Sequence, residues 1–322
     1  MIVEIPALID MHCHLREPGF EYKEDIASGS LAALHGGFSV ICPMPNTNPV
    51  CDNVETLKRV LSAPSNVTLA PICAITKGLE VQSNELVDFK ALREAGAVGF
   101  SNDGKPVLNP ETFKRALESG ELIISHCEDE PVEVEWQIEV FRTVPNARLH
   151  FCHISQAKSI EFIRAAKASG LKITAETAPH YFTFTREDVT VDGIFKMNPS
   201  LRTSDDRKAV IEALKDGTID VIATDHAPHS SEEKLRPFKD AAFGITGFET
   251  ALALGLRHFD IDLLVEKMAT NPAKILQLTN NKKIKVDLDA KWIYKAAESV
   301  SKCKVSPYDG MEFKGKVVEY AH

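Results

Sequence analysis

No run of apolar residues in this 322-residue chain is long enough to cross a bilayer, and Glu4 and Pro6 interrupt the start where a secretion signal would need its apolar stretch. The expected location is cytoplasmic. A surplus of positive charge is also missing. Against 37 Lys and Arg stand 46 Asp and Glu, a net charge of -9, which argues against nucleic acid and acidic membrane surfaces as partners and favours a small molecule. The seven cysteines (Cys13, Cys42, Cys51, Cys73, Cys127, Cys152 and Cys303) are odd in number and irregularly spaced. In a chain this long, reduced thiols are expected. There is no low-complexity tract and no solenoid repeat. A Gly-rich phosphate loop after the first strand is lacking too, which counts against an open doubly wound sheet; Gly36-Gly37 suits a helix end and turn instead.

What the sequence does have is a core-forming 44% of hydrophobic residues and a steady alternation of short apolar runs with amphipathic ones. Strands are expected over 3–12, 38–43, 67–75, 97–101, 121–126, 147–153, 171–177 and 219–224. Helical spacing appears at 84–95 (Leu86, Phe89, Leu92) and 204–216 (Val210, Ile211, Leu214). Asn109-Pro110, Asn271-Pro272 and Ser204 before Asp205-Asp206 read as helix starts. Eight β-then-α units predict an α/β fold, a closed (β/α)8 TIM barrel over residues 1–280. Residues 281–322 change character: Lys282, Lys283 and Lys285 read as a solvated turn, followed by strand-like pieces at 291–295 and 315–320. This C-terminal tail is expected to pack beside the barrel as a small β-like appendage.

The most informative stretch is Asp10-Met11-His12-Cys13-His14, where an apolar run ends in two histidines that share one face of a strand. Barrel sites lie at the carboxyl ends of the strands. There the chain offers Asp103 after strand 4, His126 after strand 5, His153 after strand 6 and Asp225 after strand 8. One histidine near a strand end is usually structural; five of eight strands ending in ligand-type residues is a strong signal. Four imidazoles and two carboxylates suit one or two zinc-class ions, which lower the pKa of a bound water, with Asp225 as proton carrier. His150 is three residues before His153 and reads as a poor ligand, while His180 and His226 are left outside the set. Alternation turns Cys13, Cys127 and Cys152 away from their histidine neighbours, as small core residues.

These residues, together with Met44-Pro45-Asn46-Thr47, Phe195-Lys196-Met197-Asn198-Pro199 and Ala223-Thr224-Asp225-His226-Ala227-Pro228-His229, make residues 5–280 resemble a class I dihydroorotase of the amidohydrolase superfamily. The resemblance implies reversible cyclisation of N-carbamoyl-L-aspartate to L-dihydroorotate in pyrimidine synthesis, with one or two Zn2+ per subunit. It implies His12 and His14 on a first zinc, His126 and His153 on a second, and Asp103 in the bridging place that many relatives give to a carbamylated lysine. Asp225 would be metal ligand and catalytic acid/base acting beside a zinc-bound hydroxide. Arg16 and Asn46 match positions that bind the substrate carboxylate, which a guanidinium fork fits bidentately. Asn198, His229, Phe243 and Gly244 complete the implied substrate contacts.

The chain departs from the family in three places. It has little before the first barrel strand, a short 128–147 segment, and Asn102 where many members have a second aspartate. Self-association or contact with aspartate transcarbamoylase is therefore expected. Other cyclic amidohydrolases, such as hydantoinase, dihydropyrimidinase or allantoinase, are the alternative, but they usually carry a lysine at strand 4. A noncatalytic scaffold of a pyrimidine-pathway complex is disfavoured by the retained ligands. The charged 230–247 loop reads either as a lid or as solvated surface.

Overall fold

A computed structural model describes residues 1–320 of the chain. Parallel strands β2 (Leu8–Cys13), β3 (Phe38–Pro43) and β4 (Thr68–Leu69) form one sheet. Strands β5 (Ile72–Cys73), β6 (Gly99–Ser101), β7 (Leu122–Ser125), β8 (Arg148–Phe151), β9 (Thr174–Thr177) and β10 (Val221–Ile222) form a second, in simple sequential order. The two sheets are one barrel. β4 and β5 are a single strand interrupted at Ala70-Pro71, where Pro71 has no N–H to give to the ladder. On the other side, Cys13 bridges His226 in parallel and His14 N donates to His226 O at 2.7 Å, joining β2 to the end of β10. The (β/α)8 expectation is met.

Most barrel-strand positions are buried because one face meets the helices and the other the barrel interior. The inner packing unites Ile9 of β2, Val40 and Cys42 of β3, Leu122 and Ile124 of β7, and Val221 of β10. Residues from opposite walls meet only inside a closed barrel. Leu276 and Leu278 close this inner cluster, and Arg148 at the start of β8 donates to Ile275 O at 2.6 Å.

Local signals explain the boundaries that differ from expectation. The strand expected over 3–12 is two: Ile2–Pro6 (β1) leaves the barrel and pairs antiparallel with β11 (Lys283–Ile293), which pairs with β12 (Glu312–Glu319). The small appendage therefore takes its third strand from the N-terminal end. Lys283 and Lys285 lie on β11 and face Glu4 and Glu319 at 2.6 and 2.7 Å, so strand pairing replaces the expected turn. The helix expected at 84–95 begins only at Phe89, because Asp88 caps it and Leu86 bridges Thr76. Asn109 caps Pro110–Glu118 as its Asn-Pro pair predicts. Thr203, one residue before the expected Ser204, caps Ser204–Asp216 in a reciprocal box with Asp206. Asn271 caps nothing: a π turn, Glu266–Thr270, carries the helix through it, and its amide donates to Asp220 O at 2.9 Å.

Candidate metal centre

The carboxyl ends of the strands deliver His12, His14, Asp103, His126, His153 and Asp225 to one buried point. Strand geometry ends abruptly there. Arg16, His153 and Asp225 have φ of 62°, 33° and 46°, the left-handed region that side chains with a Cβ avoid. Each costs on the order of 1–3 kcal/mol and persists only where surrounding packing imposes it.

Ligand-type groups overlap at the point: His12, Cys152 and His153 form one, and the two with only nitrogen and oxygen donors are His12 with His14 and Asp225, and Asp103 with His126 and His153, each with donor atoms within 4.8 Å of one another. Asp103 stands between them. Its Oδ1 lies 3.3 Å from His12 Nε2 and 3.2 Å from His126 Nδ1, and its Oδ2 lies 3.4 Å from His14 Nε2. Asp225 Oδ1 is 3.6 Å from His12 Nε2 and 3.3 Å from His14 Nε2.

The outer nitrogens of three rings decide which nitrogen faces inward. His12 Nδ1 donates to Glu176 Oε1 at 2.8 Å, His14 Nδ1 to Asn46 Oδ1 at 2.9 Å, and His126 Nε2 to Glu128 Oε1 at 3.1 Å. A neutral imidazole carries one proton, so each partner leaves a bare lone pair on the nitrogen inside the cluster. Outer carboxylate or amide partners of this kind orient metal-binding histidines. Two further observations fit a cation. His12 Nε2 is fully buried without a hydrogen-bond partner, and His126 Nδ1 and His153 Nε2 converge to 2.9 Å. The residues present thus match the nitrogen and oxygen donor set of a zinc-class ion.

Charge balance follows the same arrangement. Burial is the largest influence on Asp103 and opposes ionisation, yet His12, His126 and His153 together hold it well below the ordinary carboxylate range. Asp225 behaves alike: against burial, His14, His12 and His153 bring it down to about 2. His153 is lowered, chiefly by burial and against its contact with Asp103, consistent with a neutral ring. Both carboxylates therefore stand ionised toward the centre.

A cavity of about 200 Å³ opens onto the centre, lined by Arg16, Asn46, Asn198, Phe243 and Gly244 together with His14, Asp103, His126 and Asp225. Asn46 also donates to Asp103 Oδ2 at 3.0 Å, so its amide is held by two members of the cluster. Gly244 has φ 127°, and a Cβ there would stand 2.5 Å from Ala227 O. His229 sits behind the cavity wall, with Arg16 Nη2 3.1 Å from its Nε2. The 230–247 loop is tied down: Glu233 meets Lys23 at 3.0 Å and Tyr22 at 3.1 Å, while Lys234 is buried against the Lys196 and Ala242 carbonyls.

The structure adds residues that inspection of the sequence passes over. Glu176 and Glu128 each hold a cluster histidine. Glu176 could have been found by asking which strand ends carry any carboxylate, and Glu128 from its place two residues after His126. His150 stays outside the ligand groups and faces Glu176 Oε2 at 3.1 Å. Asn102 is structural: its Oδ1 accepts from Ile75 N and Thr76 N, and its Nδ2 donates to Thr76 Oγ1. An ionised aspartate could not donate to Thr76 Oγ1, whose own hydrogen goes to Glu80 O. Cys152 corrects the alternation argument. β8 ends at Phe151, and the Cys152 sulfur lies within 4.8 Å of ligand nitrogens of His12 and His153.

Comparison with known proteins agrees with this geometry. The family model described as Dihydro-orotase-like matches residues 2–142. The dihydroorotase of Acetivibrio thermocellus is 41% identical over 361 residues, covering 97% of this chain and 84% of that protein. The dihydroorotase of Geobacter metallireducens is 42% identical over 362 residues, covering 98% and 85%. Both alignments exceed the 322 residues of this chain, so the relatives carry insertions that it lacks. In structure, the L-hydantoinase (dihydropyrimidinase) of Arthrobacter aurescens superposes with TM-score 0.87 at 22% identity, over 99% of this chain and 84% of that one. The inactive dihydroorotase-like domain of the Chaetomium thermophilum CAD-like multifunctional protein gives 0.74 at 18% identity, over 100% and 93%. The structural matches establish the shared barrel fold, and the two sequence matches, near 40% identity over almost the whole length, place this chain in the dihydroorotase family.

Proposed function

We propose that this chain is a zinc-dependent dihydroorotase that interconverts N-carbamoyl-L-aspartate and L-dihydroorotate. The observation that carries the reading is Asp103 between two histidine groups, with Arg16 and Asn46 at the wall of the same cavity. The cationic fork of Arg16 at the cavity wall favours a cyclic amide bearing an acidic group over an uncharged hydantoin or dihydropyrimidine.

His12, His14 and Asp225 would hold one ion, and His126 and His153 another, with Asp103 between them. When bound, zinc supplies Lewis acidity toward the ring carbonyl and lowers the pKa of a coordinated water. The chain's own residues do the rest. Arg16 and Asn46 orient the substrate carboxylate, His229 stands behind Arg16, and Asn198 with the backbone at Phe243-Gly244 grips the ring. Asp225 takes a proton from the attacking water and delivers it to the departing ring nitrogen; in ring closure it removes a proton from the ureido nitrogen and returns one to the leaving water.

The seven buried free thiols and the lack, among the described residues, of a helix long and apolar enough to cross a membrane are compatible with a reducing cytoplasm. The reading extends to self-association or contact with an aspartate transcarbamoylase, which a monodisperse, active monomer in sedimentation would remove. The test of the activity is turnover of L-dihydroorotate by zinc-loaded protein beside hydantoin, dihydrouracil and allantoin. Selective hydrolysis of dihydroorotate is expected; selective turnover of another ring would replace the reading.

A further inference from the structure

His229 stands between two cations and a carbonyl. Lys23 Nζ lies 3.2 Å from its Nδ1, Arg16 Nη2 lies 3.1 Å from its Nε2, and Phe243 O lies 2.7 Å from the same Nε2. An ammonium has three hydrogens and no lone pair, so Nδ1 is the acceptor. A neutral imidazole that accepts at Nδ1 carries its proton on Nε2, and that proton has its acceptor in the Phe243 carbonyl. Burial, assisted by the charges of Arg16 and Lys23, lowers His229 to about 3 and keeps the ring neutral. The approach of Arg16 Nη2 to Nε2 is then donor against donor and makes no hydrogen bond. Arg16 uses its Nε on Pro228 O at 3.0 Å, which leaves the guanidinium tip to the cavity.

We propose that Lys23 is a positioning residue for substrate selection, which holds His229 in the Nε2–H tautomer and so keeps the Arg16 fork free for the carboxylate of an acidic cyclic amide. The inference rests on the dihydroorotase reading for the identity of that amide. Without the ammonium, the Nδ1–H tautomer becomes available. Nε2 then accepts from Arg16 Nη2 at the distance already present, Phe243 O loses its donor, and one arm of the fork is withdrawn from the substrate.

Lys23 is itself fixed from two sides. Its backbone N donates to Phe20 O at 2.9 Å within the turn after β2, and its ammonium meets Glu233 Oε1 at 3.0 Å. Tyr22 donates to the same Glu233 oxygen at 3.1 Å, and Ser230 N donates to the other at 3.1 Å. Glu233 and His229 Nδ1 are thus the polar side-chain partners of the Lys23 ammonium among the described residues.

The experiment compares zinc-loaded wild type, Lys23→Met and Lys23→Arg by dihydroorotate kinetics and by long-range proton–nitrogen correlation of histidine-labelled protein, with the His229 signal assigned by its loss in His229→Gln. The wild type should show Nε2–H. Lys23→Met should show Nδ1–H and a KM raised about tenfold, roughly 1.4 kcal/mol of binding, with kcat within about twofold. Lys23→Arg should recover part of both. An Nδ1–H tautomer in the wild type, or an unchanged KM and tautomer in Lys23→Met, overturns the proposal. A wild type that ignores dihydroorotate would overturn the function reading instead, and its spectra would still decide the tautomer.

Discussion

Glu176 joins two histidines: one carboxylate oxygen accepts from His12 Nδ1 at 2.8 Å and the other lies 3.1 Å from His150 Nε2. All three side chains are buried, and although burial is the largest influence and opposes ionisation, the two rings bring the Glu176 carboxyl down to about 2. The charge holds His12 with its lone pair toward the cluster. Glu176→Gln should keep the fold and weaken zinc binding roughly 10- to 100-fold, the usual effect of losing an outer partner of a metal-binding histidine. Competition with a chromophoric chelator measures it, and an unchanged affinity would remove Glu176 from the centre.

On the proposed assignment, the two nitrogen-and-oxygen groups that meet at Asp103 would hold two ions. His153→Ala takes a nitrogen from one group and leaves His12, His14 and Asp225 intact. Metal content measured by mass spectrometry should fall from about two zinc per chain to about one. Two tightly held ions in the variant would contradict the division.

Asp225→Asn keeps an oxygen donor and loses the proton carrier. Turnover should fall about 10²- to 10⁴-fold in both directions, the range expected of a positioned acid/base group. Ring closure consumes a proton, so in the wild type the synthetic rate should fall and the hydrolytic rate rise with pH. Identical profiles in the two directions would argue against one shared carrier.

Lys234 is a buried ammonium with two carbonyls, those of Lys196 at 2.9 Å and Ala242 at 3.1 Å, and no carboxylate at ion-pair distance among the described residues. Burial lowers it from 10.5 to about 8. Between those values the unfolded chain binds more protons than the folded one, so this group makes stability rise with pH, by at most about 1.4 kcal/mol per pH unit. Denaturant unfolding at pH 7 and at pH 9.5 should therefore show wild type gaining on Lys234→Met at the higher pH. A constant or shrinking difference would mean that the ammonium is not desolvated.

Much of the barrel and of the candidate metal centre is legible in the order of residues alone. Burial on both faces makes parallel strands short and apolar, which is why β3 and β7 stand out, and the position of barrel sites at strand ends then points to His12, His126 and Asp225. Local rules fail where a tertiary one overrides them. Alternation along β8 stops at Phe151, so it cannot say where Cys152 and His153 point. Ile2–Pro6 looks like the start of a barrel strand because nothing local distinguishes it from one; its partner is β11, which begins at Lys283. Asn271-Pro272 has the chemistry of a helix start, yet the helix runs through it.

Residue order is enough for the alternation of strand and helix, the barrel, and the residue types at the strand ends, because periodicity and ligand chemistry are properties of neighbouring residues. Tertiary contacts set which nitrogen of His12, His14 and His126 faces inward, through Glu176, Asn46 and Glu128. Glu128 is a near neighbour of His126, but Glu176 and Asn46 come from other strand ends, and a tautomer is fixed by what stands within hydrogen-bond distance, which chain order does not encode.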